Sequence, residues 1–224
     1  MGANLIICHE ALFWNHGDHT DWLQKTNNSA YLARIELLKD AGVTVWRNHD
    51  HIHSKIPYGG RYVDGIYYGF AKELGWETYI KGLPEFPMTF DIPQHSAREI
   101  IHLFMERLNY DGLKVIGSLE NDNVRRVYIA PHIIPGSVGD DLIRKIQRDQ
   151  IDLIIGQECV DFTVTEYVRD CGELGINKTM IIPGHFNTEE PGMKFFAEYY
   201  HSCINPEIPC SFVKAGDMYH YFIA

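Results

Sequence analysis

Three short segments of the chain concentrate the residue types that bind metals and move protons. His49-Asp50-His51-Ile52-His53 puts three imidazoles and a carboxylate within five residues. His49 and His53 stand four apart, a chelating spacing if the stretch is helical. In an irregular loop Asp50 could serve instead. Cys8-His9-Glu10 offers an adjacent imidazole and carboxylate, which a turn can make converge. His185 and Glu189 repeat the four-residue spacing, just after Gly184, which permits an unusual backbone angle. Jointly, such imidazoles and carboxylates could satisfy two divalent ions, with carboxylates as the natural bridges. A single zinc needs only three or four of them. Nitrogen and oxygen donors without thiolate suit Zn, Fe, Mn or Co rather than Cu(I). The plainer readings are a surface His–Glu pair for the first segment and a helix N-terminus capped by Asn187 or Thr188 for the third. A cluster as dense as the second is hard to explain by solvation alone.

Each segment follows an apolar run that reads as a strand: residues 4–8 (NLIIC), 43–46 (VTVW) and 178–182. Open α/β sheets bind ligands at the C-terminal ends of their strands. Residues 27–40, with Ser29 as N-cap, Tyr31, Leu32, Ile35, Leu37 and Leu38 as the apolar face and Gly42 as the stop, predict a helix between the first two strands. Together these make a βαβ unit. Tyr58-Gly59-Gly60 predicts a turn, 61–75 a helix, and the proline-rich 78–93 a loop or edge strand. Ser96 caps a clear helix with Ile100, Ile101, Leu103, Phe104 and Leu108 at helical spacing. Residues 113–116 and 124–130 read as strands joined by the turn Asn121-Asp122-Asn123. Residues 140–149, 160–174 and 191–202 read as helices, 151–155 as a buried strand, and 210–213 and 218–223 as closing strands. Alternating strands and helices predict an α/β fold.

Composition narrows the function classes. Among 224 residues, 20 Lys+Arg against 30 Asp+Glu give a net charge of −10. That balance leaves no electrostatic footprint for nucleic acid and argues against an anionic membrane surface. The histidine count, 12, stands out in an acidic chain and points to metal. Five cysteines without CxxC spacing predict reduced thiols in a cytoplasmic protein, with Cys8 a buried structural thiol in preference to a soft ligand. No apolar run approaches the roughly 18 residues of a membrane span, and the first residues lack the features of a signal peptide or a myristoylation site.

The segments ICHEALFW, RNHDHIH and PGHFNTEE resemble, in the same order, the three metal motifs of the NIF3 family, also called GTP cyclohydrolase 1 type 2-like. These motifs are His-His-Pro, His-Thr-Asn-Leu-Asp and Gly-His-x-x-x-Glu. Gly156-Gln157-Glu158 matches a family acid position upstream of the last one. The resemblance covers essentially the whole chain. It implies a single NIF3-like α/β unit over residues 1–224, or two similar lobes of about 1–120 and 121–224, with mixed sheets flanked by helices and a metal site in a central cleft. Carried over residue by residue, it implies His9, Glu10, His53, His185 and Glu189 as metal ligands, with His49 as a weaker candidate. Glu10 stands where the family usually has His, and His53 where it has Asp. A neutral imidazole cannot bridge two ions, so the bridge would fall to Glu189, with Glu10 as its companion. Family members also carry a few dozen residues before the first motif, whereas this chain begins at it, so a late start codon or a lost edge element is expected.

The resemblance further implies two divalent ions, a homohexamer and a hydrolase that acts on a small, nucleotide-like molecule. Glu158, Asp50 or His49 would serve as general base or orient the water. Arg125 and Arg126 could offset the charge of a nucleotide, or could simply lie at a solvated strand edge. The rival readings are a non-catalytic metal-binding or scaffold protein and a mononuclear, purely structural zinc site.

Overall fold

The computed structural model describes residues 2–130 and 132–222. It divides into two compact units, the first ending at Ser54 and the second beginning at Lys55.

The first unit contains β1 (Leu5–Cys8), α1 (Asp21–Lys25), α2 (Ser29–Ala41), β2 (Thr44–Arg47) and the single turn α3 (Asp50–His53). β1 and β2 pair in parallel, with Leu5 opposite Thr44 and Cys8 opposite Arg47. This is the βαβ unit that the sequence predicts. The N-cap of α2 is Asn28, one residue before the expected Ser29, and its side chain accepts the Tyr31 amide at 3.0 Å. Gly42 closes the helix at φ 61°, where a side chain would be strained. The buried core is small: Phe13, Leu23 and Tyr31, with Leu12 and Ile35 against it. Leu32 and Leu37 are exposed, so the apolar face of α2 is narrower than its sequence suggests.

The second unit opens with a hairpin, β3 (Ile56–Tyr58) and β4 (Arg61–Val63). Its turn residues Gly59 and Gly60 both have positive φ, as a tight hairpin demands. The helix expected over 61–75 is therefore shorter: α4 (Gly65–Leu74), capped by Asp64, which accepts the Ile66 and Tyr67 amides. β5 (Thr89–His95), α5 (Ala97–Leu108), β6 (Lys114–Gly117), β7 (Val124–Ala130), α6 (Ser137–Arg148), β8 (Leu153–Gly156), α7 (Val164–Glu173), β9 (Thr179–Ile182) and α8 (His185–Tyr199) follow. A π-helical turn over Tyr200–Ile204 ends the series. Ser96 forms the expected cap of α5 in a full capping box with Glu99.

The five-stranded sheet runs β5-β7-β8-β9-β6. β7, β8 and β9 are parallel, and β5 and β6 are antiparallel edges. Pro93 sits in edge strand β5, where a missing amide is tolerated. β6 and β7 do not form the hairpin that Asn121-Asp122-Asn123 suggests. They lie at different places in the sheet because β6 pairs with β9. All four residues of β8 and of β9 are buried, which explains their largely apolar sequences. Tyr128, Ile133, Ile146, Ile154, Val168 and Met180 join a common core.

α8 begins six residues earlier than residue 191, where the sequence places its start. Pro191, the first residue of the expected helix, lies inside the observed one. Its ring removes the bond that would run to the Asn187 carbonyl. Tyr110 fills the gap, its hydroxyl donating to that carbonyl at 2.7 Å. The closing strands expected at 210–213 and 218–223 do not form among the described residues, and Ile223 lies outside them. This stretch is tied by side chains instead: Glu190 accepts the Ala215 amide at 2.6 Å, and Asp217 accepts from Asn187 at 2.9 Å and from the Tyr219 amide at 3.0 Å. Among the described residues no helix is long and apolar enough to cross a membrane.

Candidate metal centre

In the first unit the two parallel strands deliver their chemistry to one edge. His9 and Glu10 follow β1, and His49 to His53 follow β2. The Asn48 amide donates to the Cys8 carbonyl at 2.8 Å, which carries the ladder one residue past the strands. His49 caps α3, and the His53 amide bonds back to its carbonyl. The four-residue spacing therefore lies on one helical turn.

The rings of His9, His49 and His53 pack mutually, with centroids 4.6–5.1 Å apart. One donor nitrogen from each lies within 4.8 Å of the others. Ligands on a tetrahedral ion at about 2.0–2.1 Å stand roughly 3.4 Å apart, so small rotations close the cluster. His9 Nδ1 faces the Asn48 carbonyl at 3.2 Å. A carbonyl only accepts, so Nδ1 carries the proton and Nε2 the lone pair. His49 Nδ1 likewise donates to Asp50 Oδ1 at 2.8 Å. Burial pushes the His49 pKa down, against the Asp50 hydrogen bond that raises it. A neutral imidazole with its outer nitrogen tethered is the state a metal ligand requires. Glu10 Oε1 lies 3.9 Å from His49 Nε2. The Asp50 carboxylate is 85% exposed and already engaged by His49, so it orients that ring. His51 is exposed. Cys8 directs its thiol at the Trp46 carbonyl, and burial raises its pKa.

In the second unit the three parallel strands bring a second set together. His132 follows β7, Gln157 and Glu158 follow β8, and His185 opens α8 after β9. His185 Nδ1 donates to Glu158 Oε1 at 2.7 Å, and His185 Nε2 lies 3.0 Å from Glu189 Oε2. His132 Nδ1 also contacts Glu158. Burial would raise the Glu158 pKa, but the hydrogen bond and charge of His185, with His132 behind them, hold it below the ordinary carboxylate value. Glu189 is buried at 6% side-chain exposure. Its Oε1 accepts from Gln157 Nε2 at 3.2 Å and lies 3.3 Å from the Tyr67 hydroxyl, which donates to Gln157 Oε1 at 2.7 Å.

The sequence reading missed His132, Tyr67 and Gln157. His132 carried the same signal as His185: a strand, a proline, then an imidazole within two residues. Tyr67 had no local signal, because it arrives from α4. Arg125 and Arg126 do not form a cationic patch. Arg126 pairs with Asp91 at 2.6 Å and donates to the Asp149 carbonyl, while Arg125 donates to Gln94 and Asn123.

No family model matches the sequence, and no curated protein matches it. Solved structures do. The Staphylococcus aureus hypothetical protein SA1388 aligns over 98% of this chain and 80% of its own, at TM-score 0.63 and 13% identity. A Bacillus cereus protein related to NIF3 aligns over 99% and 84%, at 0.59 and 13%. HcgD from Methanocaldococcus jannaschii, in its reduced form, aligns over 91% and 72%, at 0.55 and 14%. At these identities the likeness is one of fold. The mixed α/β architecture of this chain is NIF3-like, as the order of its three histidine motifs leads one to expect.

Proposed function

We propose that the chain is a divalent-metal-binding, NIF3-like hydrolase of a small molecule, holding two ions per chain. His9, Glu10 and His53, joined by His49, are the first unit's ligands, and His185 and Glu189 the second unit's. One observation carries the reading. His9, His49 and His185 each have Nδ1 tied to an acceptor, the Asn48 carbonyl, Asp50 and Glu158 respectively. His9 and His49 therefore present Nε2 as the lone-pair atom, in the tethered form that metal-binding imidazoles adopt, and His185 turns its Nε2 toward the Glu189 carboxylate at 3.0 Å.

When bound, a divalent ion supplies Lewis acidity and makes water ionisable near neutral pH. The chain's own groups do the rest. Glu158, ionised and held by His185 and His132, would accept a proton at its own carboxylate or orient the water. Asp50 holds the His49 ring in one tautomer.

The test is turnover by protein loaded with Zn, Fe, Mn or Co, against nucleotides, phosphoesters and cyclic amides. The reading expects metal-dependent hydrolysis of one class and its loss, by about 100-fold or more, in Glu158→Gln. Metal-replete protein that turns over none of them would refute the hydrolase and leave a non-catalytic metal-binding protein.

A further inference from the structure

We infer that Tyr67 and Gln157 are positioning residues for Glu189: they hold one carboxylate oxygen so that the other faces His185. This rests on the reading of Glu189 as a metal ligand. Three side chains from separate elements form the device. Tyr67 comes from α4, Gln157 follows β8, and Glu189 lies on α8. All three residues are buried. The phenol donates to Gln157 Oε1 at 2.7 Å, and Gln157 Nε2 donates to Glu189 Oε1 at 3.2 Å.

The polarity of the chain is fixed by its ends. A carboxylate only accepts, so the amide must turn its NH2 toward Glu189 and its oxygen toward the phenol. The amide oxygen only accepts, so the phenol 2.7 Å away is the donor to it. Glu189 Oε1 is thereby occupied, and Oε2, 3.0 Å from His185 Nε2, is the oxygen left on the imidazole side. Outer partners of this kind orient a ligand, and their removal typically weakens metal binding about 10–100-fold.

Gln157→Met preserves length and removes the donor, and Tyr67→Phe removes only the hydroxyl. The full-length protein and both variants would be titrated with Co(II) against a chromophoric chelator, recording the visible Co(II) spectrum and the thermal melt. The expected result is Co(II) affinity about 10–100-fold weaker in Gln157→Met, a smaller loss in Tyr67→Phe, and an altered spectrum in both. Glu189→Ala is run alongside. If it weakens binding while Gln157→Met and Tyr67→Phe leave affinity and spectrum as in the parent, the positioning role is refuted and the ligand assignment stands. If Glu189→Ala also leaves binding intact, the ligand assignment falls and the inference with it. If Gln157→Met does not fold, Tyr67→Phe decides alone: an unchanged affinity and spectrum overturn the inference, and a shift in both supports it.

Discussion

Gly192→Ala should loosen the second unit at the point where it holds its candidate ligands. α4 and α8 cross with backbone against backbone. A Cβ at Gly192 would stand 2.4 Å from Ile66 Cα and 2.6 Å from the Ile66 carbonyl oxygen. Neither is a flexible side-chain end, so the helices must part by about 1 Å to restore an ordinary contact. Overpacking of this kind costs about 1–3 kcal/mol. The gain in helix propensity on replacing glycine by alanine offsets about 0.5–1 kcal/mol of it. A net loss of about 1–2 kcal/mol is expected, read as a lower urea midpoint with an unchanged slope. The same displacement stretches the 3.3 Å contact between the Tyr67 hydroxyl on α4 and Glu189 on α8, three residues before Gly192, beyond hydrogen-bonding range. Gly69→Ala strikes the same crossing, its Cβ 2.6 Å from Gly192 Cα. The double variant should therefore lose less than the sum of the singles, since helices already parted accept the second methyl. A Gly192→Ala protein as stable as its parent, or more so, would refute the close crossing.

Three further outcomes follow from single interactions. Ser96→Ala removes a capping box from α5 and should lower stability by about 1 kcal/mol in urea denaturation; no change would show that the cap contributes nothing. The Arg126 hydrogen bond holds the Asp91 carboxyl below its ordinary value. Its stabilisation is present above the unfolded pKa and is lost as pH falls through the lower folded one. Because the Asp91 side chain is 45% exposed, screening limits the effect, and Asp91→Asn should cost only about 0.5 kcal/mol at pH 7. That gap should close below about pH 4, and a gap still open near pH 2 would remove the ionic explanation. Iodoacetamide at pH 8 should modify the exposed Cys203 and Cys210 first, with Cys159, whose pKa burial pushes up to about 12, reacting only on unfolding. Mass spectrometry showing rapid labelling of Cys159 in the folded protein would contradict the raised pKa of this partly buried thiol.

Local pattern was enough where one element carries its own signal. The unbroken apolar run of β8, the Ser96 capping box and the glycine stop after α2 were all legible, because burial, capping and φ are set by neighbours in sequence. That each of the three histidine segments follows a strand was legible from the apolar run before it. What failed was long-range. Pairing of β6 with β9 spans 61 residues of intervening chain, whereas Asn121-Asp122-Asn123 suggested the nearest partner. The last helix was expected to start too late, at 191, and the Tyr110 hydroxyl that serves the carbonyl left open by Pro191 is distant in sequence. Residues 210–213 and 218–222 have strand-like composition, but the chain between them, Ala215 to Asp217, bonds to side chains of α8 rather than to a sheet. Within the second unit's cluster, His132 was readable from its place after a strand, and Tyr67 was not readable at all.

Metal content of the purified chain, by plasma mass spectrometry against protein concentration, bears most directly on the proposal. Two divalent ions per chain are expected. The number should fall in a His9→Ala/His49→Ala/His53→Ala variant, which strips the first unit's imidazoles, and in a His185→Ala/Glu189→Ala variant, which strips the second unit's pair. Protein that carries no metal after growth and reconstitution, or a content that neither variant lowers, would contradict the assignment of these residues as ligands.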